Sequence, residues 1–255
     1  VTKIASTLLI LLSLLSCSSD DEKNPVNITF KVNHYWDGTS VTNADFNTIK
    51  FINANGNQLS IERLRYLISN IKLKKSNNEV MVIESYKLVD VTDNINLSFS
   101  PSVNIPRGTY SNLSFTFGFN NEDNYIEDGY NDLNVAIFNV PAMLGGGYHY
   151  MQLDGKFINS DSEEQGYNYH AIKAVDNPGA NPTFPQDTYF EVNLGSVTIS
   201  NNTVLNIEMN IAEWFKNPHI WDLNLLNQML MPNSSAQIMM YDNGQSVFSL
   251  KPDNP

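Results

Sequence analysis

Alternation of apolar and polar positions runs through most of this chain, and a period of two predicts strands half-buried on one face. In the stretch 27–34, Ile28, Phe30, Val32 and His34 share a face, and Asp37-Gly38 supplies a turn after them. Phe51-Ile52, Asn55-Gly56 and Leu59 read as strand, tight turn and strand. Residues 61–73 fit two periods: Ile61, Leu64, Ile68 and Ile71 suit a helix, while Leu64, Tyr66 and Ile68 suit one face of a strand. The Asn77-Asn78 turn and the apolar runs 80–83 and 86–89 favour the strand, paired as a hairpin. Another strand is expected over 94–103, followed by the turn Ile105-Pro-Arg-Gly-Thr-Tyr110. Leu113, Phe115, Phe117 and Phe119 then alternate with small polar residues. Strands are also expected over 189–194, 197–200, 204–211, 236–240 and 247–250. The region 212–230 reads as helical, interrupted at Pro218, where the ring removes a backbone donor. Without a linker, charge block or long repeat, residues 27–255 form one domain. The pattern predicts an all-β fold, an antiparallel β-sandwich of jelly-roll-like character with a short helical region near the C-terminus.

Composition narrows the function. The net charge of -12 argues against nucleic-acid phosphates and anionic lipid heads as partners. The single cysteine excludes an intrachain disulfide. Lys3, the apolar run 4–15 and Leu14-Leu-Ser-Cys17 have the layout of a bacterial lipoprotein signal, too short for a comfortable membrane span. Residues 1–16 are therefore expected to be cleaved and Cys17 lipid-modified, with 17–26 as a polar tether. The acidic run Ser18-Ser-Asp-Asp-Glu22 resembles the surface-export signal of Bacteroidetes lipoproteins. The expected location is the outer membrane, facing outwards, held by the lipid on Cys17.

The candidate chemistry lies in Gly145-Gly-Gly-Tyr-His-Tyr-Met-Gln-Leu-Asp-Gly-Lys-Phe157 and Tyr167-Asn-Tyr-His-Ala-Ile-Lys173. Both read as strands, joined by a polar, acidic loop. Strict alternation groups His149 with Met151 and Leu153, and His170 with Ile172, leaving the tyrosines on the opposite faces. Each histidine, and His34 as well, thus falls on the aliphatic side, which the pattern marks as the core side. If the strands pair, the imidazoles meet; imidazole is the commonest side-chain metal ligand, and the Met151 sulfur suits Cu(I). The competing reading is of core histidines satisfied by backbone or tyrosine hydroxyls. The Asn/Asp/Glu-rich stretch 120–132 invites a calcium ion, but its spacing does not match the helix-loop-helix pattern. There is no Gly-x-Ser-x-Gly elbow, phosphate loop, His-Glu-x-x-His or dinucleotide fingerprint, and Cys17 is committed to lipid, so no enzyme is expected. Trp36, Trp214 and Trp221 read as core residues before sugar-stacking platforms.

The order of several motifs resembles the MbnP-like family, exported copper-binding proteins related to a methanotroph surface protein and common in Bacteroidetes. The motifs are Phe30-Lys-Val-Asn-His34 with Gly38, Arg65-Tyr-Leu-Ile-Ser-Asn-Ile71, Ser85-Tyr-Lys-Leu-Val-Asp90 and Ile105-Pro-Arg-Gly-Thr-Tyr110. Phe117-Gly-Phe119, Gly147-Tyr-His-Tyr-Met-Gln-Leu-Asp-Gly155 and Tyr169-His170 complete them. The resemblance implies a β-sandwich and a mononuclear copper site. It also implies a tryptophan ligand oxidised to kynurenine by a partner di-haem enzyme. That tryptophan belongs just before Gly147, where this chain reads Pro141-Ala-Met-Leu-Gly-Gly-Gly147. Met143, or an all-histidine set, would have to compensate. His34 and His170 fall where the family carries histidine; His149 is added from its place in the Gly-Tyr-His-Tyr-Met motif. The expectation is a copper-capturing or buffering lipoprotein using His34, His149 and His170, with Met151 or Met143 nearby. The alternative is a metal-free module for glycan, peptide or a partner lipoprotein.

Overall fold

The computed structural model describes residues 26–251. The expected signal peptide, Cys17 and nearly all of the tether lie outside the described residues. Along the chain the strands are β1 (Ile28–Trp36), β2 (Thr39–Val41), β3 (Phe51–Ile52), β4 (Gln58–Leu59) and β5 (Arg63–Lys74). They continue with β6 (Val80–Asp90), β7 (Ser98–Phe99), β8 (Gly108–Tyr110), β9 (Asn112–Phe117) and β10 (Met151–Ile158). The last are β11 (Glu164–Ala171), β12 (Phe190–Asn193), β13 (Val197–Ile199), β14 (Thr203–Asn210) and β15 (Phe248–Lys251). The helices are α1 (Asn121–Asn124), α2 (Asn131–Val135) and α3 (Ser234–Gly244). Among the described residues no helix is long and apolar enough to cross a membrane.

Two sheets carry the fold. The smaller runs β15-β14-β1-β2, with β7 also beside β1. The larger is built on β5, with β6 along one edge. On its other edge β10 covers the first half and β9 the second. Strand β11 extends the sheet beyond β10, and β12 extends it beyond β9. The β5/β6 hairpin is the one expected over 61–89; Asn78 turns it at φ 68, a left-handed conformation that asparagine tolerates. Every strand pairing is antiparallel except β1 with β14, which run parallel from Ile28↔Thr203 to Tyr35↔Asn210. The antiparallel β-sandwich expected from the sequence therefore holds, with this one parallel pair in it. The chain between these strands acts as one long crossover.

Alternate residues of both sheets meet in a single core. Phe30 and Val32 of β1 and Leu205 and Ile207 of β14 belong to the same cluster as Leu64 and Tyr66 of β5 and Leu153 of β10. All three tryptophans join them, with Trp214 5.1 Å from Phe117 and Trp221 4.6 Å from Tyr169 between ring centroids. No tryptophan is therefore left as an exposed platform for sugar stacking.

The C-terminal helical region is displaced from its expected place. Within 212–230 the helical element is the short 3-10 helix Ile211–Phe215, and the remainder is turns and irregular chain. The α-helix is α3, where residues 236–240 were expected to form a strand. Asn233 caps it by accepting the Ala236 N–H, satisfying a donor that the first turn cannot.

A close approach fixes one residue of β10. A Cβ on Gly155 would overlap the Ser60 carbonyl oxygen and press on the Tyr167 ring, because the chain at residue 60 hydrogen-bonds β10 at Lys156. Gly155→Ala is expected to lower stability by ~1–3 kcal/mol, the range for overpacking. Urea unfolding checks this, and an unchanged midpoint would contradict it.

Candidate metal centre

The site is built on three adjacent strands. Gln152 of β10 lies between His170 of β11 and Arg65 of β5, and Asp154 lies between Asn168 and Arg63. Residues opposite one another in a sheet share a face, so these six form two cross-strand rows on one side. Arg65 Nε donates to Gln152 Oε1 (2.6 Å), and Arg63 Nε donates to Asp154 Oδ2 (2.5 Å). Asp154 Oδ1 accepts from Asn168 Nδ2 (2.6 Å) and His170 Nε2 (2.7 Å). Burial alone would raise the Asp154 pKa, but His170, Asn168 and Arg63 outweigh it and hold the carboxyl at about 2. The intervening residues Tyr66, Met151, Leu153 and Tyr169 point the other way, into the core.

Alternation along β11 is as expected, but its faces are exchanged. Tyr167 and Tyr169 take the core side, with their hydroxyls donating to the carbonyls of Ser60 and Trp214, both at 2.8 Å. A buried tyrosine combines a large apolar area with a satisfied hydroxyl, and here two of them outcompete His170 and Ile172 for the interior. Ile172 instead joins a small outer cluster with Val140, Leu144 and Val175.

His149 precedes β10, outside its regular pleat, so alternation does not carry back to it. Gly145, Gly146 and Gly147 all have positive φ (97, 70 and 75), which turns the chain back on itself. Asn139 and Tyr148 then bridge, and the His149 N–H donates to the Phe138 carbonyl. This brings the His149 ring to 5.3 Å from the His170 ring, nearly perpendicular at 83°. His149 Nδ1 lies 3.0 Å from that same Phe138 oxygen. A carbonyl can only accept, so Nδ1 carries the proton and Nε2 carries the lone pair. That Nε2 is buried and has no hydrogen-bond partner. Burial pushes the His149 pKa down to about 4; the Phe138 bond opposes this, and the charges of His170, Arg65 and Arg63 reinforce it. On His170, the carboxylate of Asp154 occupies Nε2, which leaves Nδ1 without a hydrogen bond among the described residues. Each imidazole thus has one nitrogen held by an oxygen acceptor and the other open, the arrangement by which metal-binding histidines are oriented.

The expected three-histidine cluster does not form. His34 lies inside the sandwich, its Nε2 2.9 Å from the Tyr66 hydroxyl, and burial lowers its pKa to about 4. Tyr66 and Arg65 point to opposite faces of β5, so the larger sheet separates His34 from the His149–His170 pair. Met151 is likewise in the core, on the face away from both histidines. Met143 is brought to the site: with Leu144, Asn168, His170 and residues 229–232 it lines an apolar pocket of about 440 Å³. His219 is elsewhere, 2.9 Å from Asp242.

The sequence reading missed Asp154, Phe138, Met229 and Met231. Asp154 was within reach, since Gln152 and Asp154 share a period with one another. Phe138 acts through its carbonyl, and the two methionines arrive from a distant irregular loop, so no local pattern marks them. The calcium expectation for 120–132 finds no support in the structure. Asp123 Oδ2 accepts from the Asn70 and Asn120 side-chain amides, and Asp132 Oδ1 accepts the Tyr86 hydroxyl. Among the described residues no three His, Cys, Asp or Glu side chains are grouped to hold a metal. A metal here would rest on two imidazoles and donors of another kind. The orphaned Nε2 of His149 beside the carboxylate-held His170 fits such an ion.

Fold and site together define a β-sandwich protein with two adjacent histidine rings on the outer face of its larger sheet. A family model described as MbnP matches residues 24–239, most of the chain. The chain belongs to the MbnP family. The solved structure of MbnP from Methylosinus trichosporium is similar to it with a TM-score of 0.55 at 13% identity, covering 91% of this chain and 100% of that one. At that identity the likeness is one of fold. No curated protein matches the chain.

Proposed function

We propose that this protein captures or buffers copper, binding one ion between His149 Nε2 and His170 Nδ1. The observation that carries this reading is the buried, partnerless Nε2 of His149 beside the His170 ring. Burying a polar atom without a partner is costly, and a metal ion would relieve that cost. Copper, when bound, would accept the lone pairs of two neutral imidazoles. Phe138 and Asp154 orient those imidazoles and keep the protons on their far sides. Membership of the MbnP family supports a copper-associated role and a link to methanobactin-related systems. A di-haem partner of the kind the resemblance implied would find no tryptophan to oxidise here, since all three lie in the core. The role is binding, with no catalytic step. The protein would act outside the cell, anchored to the outer membrane by lipid on Cys17.

Titrating metal-free protein with Cu(I) and Cu(II) against competing chelators tests this. One bound ion per chain is expected, with shifts confined to the ring nitrogens of His149 and His170 in imidazole NMR spectra. Absence of binding, or shifts at His34 or His219 instead, would overturn it.

A further inference from the structure

We propose that the thioethers of Met143, Met229 and Met231 complete this site and make it selective for Cu(I). The inference rests on the copper reading above. Two imidazoles leave the ion short of donors, and nearby side chains restrict what the rest can be. Asp154 is committed to Arg63, Asn168 and His170. The pocket that His170 lines offers sulfur: three of the chain's eight methionines line it too.

Met143 and Met229 differ in placement from the others, while Met231 packs beside them against the small outer cluster of Val140, Leu144, Ile172 and Val175. Met151, Met209 and Met240 are core residues, and Met81 and Met239 pack against the core. Met143 and Met229 are 58% and 78% exposed, so burial does not account for them. Met229 also has φ 56, a left-handed conformation uncommon for non-glycine residues. Among the described non-glycine residues with positive φ, all but two are Asn, Asp or Ser, and those two flank this site. One is Met229. The other is Ile137, which immediately precedes the residue holding His149 and whose carbonyl lies 3.5 Å from Arg65 Nη2.

The loops that carry the sulfurs are tied down. The Gly179 N–H donates to the Met143 carbonyl at 2.7 Å. The Asn168 N–H donates to the Asn227 carbonyl at 2.8 Å, and Gln237 Nε2 donates to the Leu230 carbonyl at 3.0 Å. Thioethers are soft ligands that favour Cu(I), whereas Cu(II) favours tetragonal nitrogen and oxygen sets. A site of two imidazoles and thioethers therefore discriminates by oxidation state. It also supplies donors where the family resemblance implied an oxidised tryptophan.

The test combines Met143→Leu, Met229→Leu and Met231→Leu in one chain, which keeps side-chain volume and apolarity. Cu(I) affinity is expected to fall by ~10-fold or more and Cu(II) affinity to stay within ~2-fold, on the scale at which supporting groups tune metal sites. In wild-type protein, redox-inert Ag(I) is expected to shift the methyl NMR signals of these methionines, assigned by the single variants. If wild type binds copper at the histidines while the triple variant keeps its Cu(I) affinity and the methyl signals stay put, the thioether assignment falls and the copper reading stands. If wild type binds no copper, both fall. Unchanged thermal unfolding of the triple variant separates loss of ligands from loss of fold.

Discussion

Replacing His149 with alanine is expected to remove high-affinity copper binding while leaving the fold in place. The substitution takes away a buried donor nitrogen held ready by its own tautomer. The loss should exceed the ~10–100-fold that removing an orienting partner costs. Asp154→Asn removes such a partner, and its weakening should fall within that ~10–100-fold range. The effect of His149→Ala on stability should be small. The Phe138 carbonyl keeps the His149 backbone N–H at 2.9 Å, so it is not left unsatisfied. The deleted side-chain hydrogen bond is worth about 1 kcal/mol, and deleting the partnerless Nε2 offsets part of it. Chelator competition and urea unfolding on the same preparation separate the two effects. A His149→Ala protein that binds copper as tightly as wild type would place the site elsewhere.

Metal-free protein is expected to lose stability steeply between about pH 6.5 and pH 4. Burial lowers the pKa of both His34 and His149 from 6.5 to about 4. Between those values the unfolded chain binds a proton on each histidine and the folded chain does not, so stability rises with pH. The contribution is fully present above 6.5 and is lost as pH falls toward 4. A shift of this size amounts to about 3 kcal/mol per histidine. Two such residues make a large fraction of the ~5–15 kcal/mol by which domains are stable. Asp154, held at about 2, stays ionised throughout this window and does not contribute to it. His34→Gln, which keeps a hydrogen-bonding side chain opposite Tyr66, should remove roughly half of the slope. Urea midpoints across the range check this, and a flat profile would contradict it.

Much of the sheet architecture was legible because alternation survives wherever one face is buried. Strand β14 reads buried and half-buried in strict turn, as its sequence does. The ambiguous run at 61–73 was resolved by its neighbour, since a turn between two apolar runs specifies a hairpin whichever period the first one favours. The pairing of the β10 and β11 segments was legible for the same reason. Which face of them met the core was not. Alternation separates two sets of residues without ranking them, and here two tyrosines with bonded hydroxyls displaced a histidine and an isoleucine. The position of His34 in the core was read correctly, but the His149–His170 pair lies on the other face of the larger sheet.

Helix α3 was hidden for a different reason. Its buried face is partly polar: Gln237 donates to the carbonyls of His170 and Leu230 and accepts the Ile172 N–H. Asn243 bonds the carbonyls of Trp214 and His219. These amides serve irregular backbone that has no ladder of its own, so hydrophobic periodicity does not register them.

The parallel pairing of β1 with β14 imposes an order of assembly. Asn33 reaches Asn206 across 173 residues, whereas β5 with β6 and β10 with β11 are neighbours in sequence. Closing so long a loop early is entropically unfavourable, and contacts of that range slow folding. The sheet that carries the histidine pair can therefore take shape while β1 still waits for its partner. During that interval β1 presents an open edge on the side that β14 will fill, the condition under which a chain pairs with a second copy of itself.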